Sequence, residues 1–138
     1  MWGAIVSLVW SSCSHTFPPT IMGKWRWAST WHAESGLTTA GKEHGELVHN
    51  YKPDSTYDIY EGGKLSGQNQ PFSIRRGKHP DGSGKPVDFL ISRDGKIVEK
   101  DQLVWIKGQA NDTLVFMLLD AEHGYKPYVY SVYARVTE

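Results

Sequence analysis

Gly23-Lys24-Trp25-Arg26-Trp27-Ala28-Ser29-Thr30-Trp31 decides the fold. Trp25, Trp27, Ser29 and Trp31 share one parity, and Lys24, Arg26, Ala28 and Thr30 share the other. Such alternation suits a half-buried β-strand with a heavy aromatic face. Similar short runs follow at turn-delimited intervals: Glu46 to Tyr51, Thr56 to Tyr60, Phe72 to Arg75, Val87 to Ser92, Gln102 to Lys107, Thr113 to Leu119 and Tyr128 to Val136. Lys52-Pro53-Asp54-Ser55, Gly62-Gly63, Asp94-Gly95, Asn111-Asp112 and Glu122-His123-Gly124 punctuate them with residues that favour tight turns. Ser35 to Gly45 and the glycine-rich tip His79 to Pro86 read as loops. About eight strands joined this way predict an all-β fold, an antiparallel barrel or a sandwich.

The 138 residues fit one domain with a core large enough to need no disulfide. Fifteen Lys and Arg balance fifteen Asp and Glu, so electrostatic capture of nucleic acid is not expected. The only cysteine, Cys13, ends the uncharged stretch Met1 to Ser12. About ten apolar residues are too few to span a bilayer but suit the apolar part of a signal peptide. Three segments are therefore expected: residues 1–13 as a signal-peptide-like segment, 14–20 with Pro18-Pro19 as an extended tether, and 21–138 as the barrel domain.

Gly23-Lys24-Trp25 resembles the first signature of the lipocalins, and Arg135, within Tyr133-Ala134-Arg135-Val136, resembles the arginine that packs over that tryptophan in the family. Lys52-Pro53-Asp54-Ser55-Thr56-Tyr57 is similar to a hairpin that recurs in bacterial lipocalin-like domains. Small residues followed by Cys13 resemble a bacterial lipobox. These resemblances imply an all-β, eight-stranded antiparallel up-and-down barrel, lipocalin-like (calycin-type), whose closed end holds Trp25 and Arg135 as a structural pair. They also imply lipidation at Cys13 and an exported protein on the periplasmic or outer-surface side of the cell envelope, tied to the membrane through its N-terminal lipid.

No catalytic set emerges. Gly82-Ser83-Gly84-Lys85 is followed by Pro86 and a strand, where a phosphate loop needs Ser or Thr and a helix. The histidines (His15, His32, His44, His49, His79, His123) show no HxH or HExxH spacing, so satisfied or solvent-facing histidines are expected rather than a metal site, although His32 and His49 could be brought together across strands. No Gly-x-Ser-x-Gly elbow is present, and no cofactor is implied. What remains is an aromatic excess. Trp27, Trp31, Tyr57, Trp105, Phe116, Tyr128 and Tyr130 are expected to line the barrel interior, which in an eight-stranded barrel is either filled or holds one small ligand. The expected function is non-catalytic binding of a small, partly apolar (hydrophobic or amphipathic) molecule, with mouth loops at Ser35 to His44 and Gly77 to Pro86. Two alternatives stand beside it. One is a protein-interaction or inhibitor-like module on a solid barrel, marked by aromatic residues clustered on an outer face. The other is a small barrel isomerase, which would need a buried acid or base facing the cavity; the parity of His49 points that way.

Overall fold

In the computed structural model, described for residues 20–41, 45–93, 99–108 and 110–137, nine strands form one antiparallel sheet. They are β1 (Gly23–His32), β2 (Gly36–Thr39), β3 (Leu47–Tyr51), β4 (Thr56–Glu61), β5 (Lys64–Lys78), β6 (Pro86–Arg93), β7 (Glu99–Lys107), β8 (Thr113–Asp120) and β9 (Lys126–Arg135). Apart from β2, each strand pairs with its sequence neighbours, and β1 closes the ring by pairing with both β3 and β9. The result is a closed eight-stranded up-and-down barrel, one of the two architectures that the turn spacing allows and the one expected from the resemblance. The Asp94-Gly95 turn, Cys13 and the segment before Thr20 lie outside the described residues.

Two elements differ from the sequence expectation. Residues 36–39, expected as loop, form β2, which pairs with the upper half of β1 from Ser29↔Thr39 to His32↔Gly36. Gly36 makes this reversal at φ +83°, a conformation that costs a Cβ-free residue little. The strand expected at Phe72 to Arg75 is instead the fifteen-residue β5. Gly62 and Gly63 both have positive φ, 59° and 81°, as a two-residue type I′ turn requires, and so return the chain directly into pairing. The register then slips on either side of Ile59. Asp58, 7% exposed, anchors that irregular stretch by accepting from the Asn69 N–H at 2.9 Å and pairing with Lys52 at 3.2 Å.

The core lies inside the barrel, built from Trp25, Tyr51, Tyr57, Phe72, Leu90, Val104, Leu114, Phe116 and Tyr133. Its lower end is closed by one assembly. Trp25 is fully buried, and its indole N–H donates to the Ile21 carbonyl at 2.7 Å. The Arg135 guanidinium lies 4.1 Å over the Trp25 ring, within cation–π range. It also donates to the carbonyls of Met22 (3.0 Å), Thr20 (3.0 Å) and Asn111 (3.2 Å). Thus one side chain ties the entering chain to the β7–β8 turn. Gly23 makes room for it: its φ is +113°, and a Cβ there would stand 3.4 Å from Arg135 Nη1.

The outer wall is not uniformly polar. Cross-strand partners share a face, and one row runs Phe89↔Leu103↔Met117↔Tyr130↔Trp31↔Leu37 across β6, β7, β8, β9, β1 and β2. Trp105 and Tyr130 meet edge to face at 6.0 Å, flanking Val115, which is completely buried although it faces outward. Thr113 to Leu119, the most apolar run of the chain, is thus covered on both faces.

Candidate functional site: a polar cavity inside the barrel

β1 begins at the closed end, so its register places every inward side chain at a height along the axis. Trp25 pairs with His49, which puts His49 on the inner wall beside the sealed core. One layer nearer the closed end, Tyr51, opposite Gly23, and Tyr57 are cross-strand partners on β3 and β4 and stack at 5.2 Å. Tyr133, two residues before Arg135 on β9, shares its inward parity. Its ring lies 5.1 Å from His49 and edge-on to Phe116 at 5.4 Å. Above this cluster lies a half-enclosed cavity of about 230 Å³, lined by His49, Tyr51, Tyr57, Ile59, Leu90, Ser92, Gln102, Phe116, Ser131 and Tyr133.

The cavity is polar yet uncharged. Burial lowers the His49 pKa to about 4, because the interior disfavours imidazolium; the ring is neutral at physiological pH and offers one donor and one acceptor nitrogen. Its Nδ1 is 3.3 Å from the Tyr51 hydroxyl. Burial raises the phenol pKa values of Tyr51 and Tyr133, with neighbouring tyrosines adding to the shift, so both hydroxyls remain protonated donors. On the β1–β9 side, Trp27 Nε1–H donates to Thr30 Oγ1 at 2.8 Å, and Thr30 Oγ1 shares a 2.9 Å hydrogen bond with Ser131 Oγ at the cavity wall. No buried side-chain nitrogen or oxygen among the described residues lacks a partner. The polar groups on the cavity wall are thus neutral dipoles, of which His49 Nδ1 and Ser131 Oγ already have protein partners.

The residues expected to line the interior divide into three groups. Tyr57 and Phe116 line the cavity. Trp27 faces inward but packs against the core, with its indole N–H committed to Thr30. Trp31, Trp105 and Tyr130 stand on the outer wall, with Trp31 39% exposed. For Trp31 the cause is a β-bulge at Ala28: Trp27 pairs with Tyr133 but Ser29 pairs with Val132, and the extra residue reverses the parity of everything after it. Thr30 and His32 take the inward positions instead. For Trp105 and Tyr130 the inner row belongs to Val104 and Ser131. Tyr128 lies at the upper rim, where the register slips opposite Leu118-Leu119, with its ring 6.2 Å from His32.

The two segments expected at one mouth lie at opposite ends. Ser35 to Gly41 belongs to the upper, open end, and His79 to Pro86 to the closed end, where His79 N–H donates to the Lys85 carbonyl at 2.8 Å. Among the described residues no three His, Cys, Asp or Glu side chains converge, at His32 and His49 or elsewhere. Two larger hollows, about 480 and 530 Å³, adjoin Arg76 and Asp88 near the closed end. Their polar groups include that ion pair, with Arg76 70% exposed. The interior cavity is the better candidate because buried groups with displaced pKa values converge on it.

No family model, no curated protein and no solved structure matches this chain. The site is therefore read from its own geometry. His49, whose parity pointed toward the cavity, lines it, whereas the sequence pattern missed Tyr51, Ile59, Leu90, Ser92, Gln102, Ser131 and Tyr133 as lining residues. A signal for part of this set was present: Arg135, placed over the inward Trp25, gives Tyr133 and Ser131 the inner parity of β9.

Proposed function

We propose that this chain is a lipocalin-like, calycin-type binding protein that holds one small, partly apolar molecule in the cavity between His49, Tyr57, Tyr133 and Ser131. The observation that carries this reading is the half-enclosed, ring-walled cavity on the barrel axis, with neutral polar groups at its surface. Its volume falls below the roughly 300–1,000 Å³ typical of drug-sized ligand pockets, so the occupant is small. Binding is the whole activity. A general base works best with a pKa near the operating pH, and His49, at about 4, would be a weak one, which argues against the isomerase alternative. Export and a lipid on Cys13 complete the proposal, placing the barrel on the outer side of an envelope membrane.

The test is native mass spectrometry of the full chain purified from its own cells. Wild type should carry an additional small mass that is lost on denaturation, and a Ser131→Leu variant, whose side chain intrudes into the cavity, should lack it. Folded wild-type protein that never carries such a mass would count against the proposal. A second reading, an interaction module, is supported by Trp31, Trp105 and Tyr130 on one outer wall. Ligand-free protein appearing at twice the chain mass in the same spectrum would favour it.

A further inference from the structure

We infer that the part of the ligand inside the barrel is a single uncharged planar ring bearing a hydroxyl or an equivalent donor–acceptor group, seated against His49, Tyr133 and Ser131. This rests on the carrier reading above and narrows it to a chemical class. Three properties of the cavity lead to it.

The first is charge. None of the ten lining side chains is acidic, none is Lys or Arg, and His49 is neutral. An ion entering would give up hydration with no counter-charge to receive it. Charge appears at the rim, where the exposed Glu61 stands opposite Leu47 at the upper end of β4, so a charge on the ligand belongs above the cavity. The second property is shape. His49 and Tyr133 lie with ring planes 39° apart at 5.1 Å, His49 and Tyr57 40° apart at 5.7 Å, and Phe116 stands edge-on to Tyr133. Flat walls of this kind favour another flat ring, in offset or edge-to-face contact, and the volume of about 230 Å³ limits the guest to about one ring with its substituent. The third is polarity. A purely apolar guest would displace water from Ser131, Gln102, Ser92 and His49 without replacing its hydrogen bonds, and stranded polar groups penalise such a guest. A hydroxyl both donates and accepts, which matches a neutral imidazole and a serine lining one cavity.

The experiment is calorimetric titration of the full chain at pH 7 with phenol, benzene, benzoate and benzylammonium. Wild type should bind phenol at least about tenfold more tightly than each of the other three, a factor within what one satisfied polar contact supplies. Ser131→Ala, which removes only a hydroxyl, should reduce the phenol-to-benzene ratio several-fold. His49→Phe, which keeps a ring and removes both nitrogens, should bring that ratio close to one. Tightest binding of benzoate, benzylammonium or benzene would overturn the inference while leaving the carrier reading in place. An unchanged ratio in both folded variants would also overturn it. Failure of all four probes to bind wild type would overturn the carrier reading as well.

Discussion

Replacing Arg135 with Met tests the closed end. Methionine keeps an apolar stem over Trp25 and deletes the guanidinium, which now donates to the carbonyls of Thr20, Met22 and Asn111 at 3.0, 3.0 and 3.2 Å and lies 4.1 Å over the Trp25 ring. A hydrogen bond from a charged donor contributes about 1.5–3 kcal/mol where water is excluded, but Arg135 is only partly buried. Taking each of the three bonds at about half the lower figure, plus about 1 kcal/mol for the cation–π contact, gives a loss of about 3 kcal/mol. Against a typical domain stability of about 5–15 kcal/mol that is substantial. For a domain of this length it corresponds to a drop in Tm of about 10–15 °C. The assay is urea unfolding followed by tryptophan fluorescence, with Arg26→Met as control. Arg26 pairs with Glu46 at 3.0 Å while both side chains are nearly half exposed, a kind of ion pair that contributes about 0–1 kcal/mol. If Arg135→Met cost no more than Arg26→Met, the closed-end assembly would not be what holds the barrel's lower end.

Gly23→Ala should destabilise by about 1–3 kcal/mol in the same melts, because an L-residue is strained at φ +113° and the new Cβ meets the Arg135 guanidinium; a neutral effect would mean that the approach relaxes freely. His49 makes stability depend on pH. Its folded pKa of about 4 lies below the ordinary imidazole value of 6.5, so between these values the unfolded chain binds the extra proton and stability falls as pH falls. About 2.5 pH units at 1.36 kcal/mol each make the loss about 3 kcal/mol, complete near pH 4. His49→Gln should lack this component, and equal acid sensitivity of the two proteins would show that His49 is not buried as described. Cys13→Ala should leave the membrane fraction when expressed in a bacterial host that processes lipoproteins; unchanged attachment would refute lipidation.

Much of the barrel is legible in the sequence because turn chemistry is local. Gly62-Gly63, Lys52-Pro53-Asp54-Ser55 and Asn111-Asp112 each mark a reversal that the fold contains. What stays hidden depends on pairing across strands. The lower-numbered half of β5, with Gly67-Gln68-Asn69-Gln70, has no apolar alternation, and its strand character comes from β4 beside it. The bulge at Ala28 leaves no mark in composition, yet it moves Trp31 from the inner to the outer wall. In β7, β8 and β9 both faces carry apolar side chains, so alternation alone cannot say which row is inside. Aromatic size drew attention to Trp105 and Tyr130, while the cavity belongs to Tyr133, Ser131 and Gln102. Anchoring each strand to the Trp25–Arg135 pair, and counting residues outward from it, would have recovered Tyr133 and Ser131.

The central claim is that a small molecule sits on the barrel axis. The most direct measurement is intermolecular NOE spectroscopy on the full chain with phenol bound. Cross-peaks from the phenol ring to the ring protons of His49, Tyr57, Phe116 and Tyr133 are the predicted result. Cross-peaks to Trp31, Trp105 and Tyr130 in their place would put the molecule on the outer wall and contradict the account.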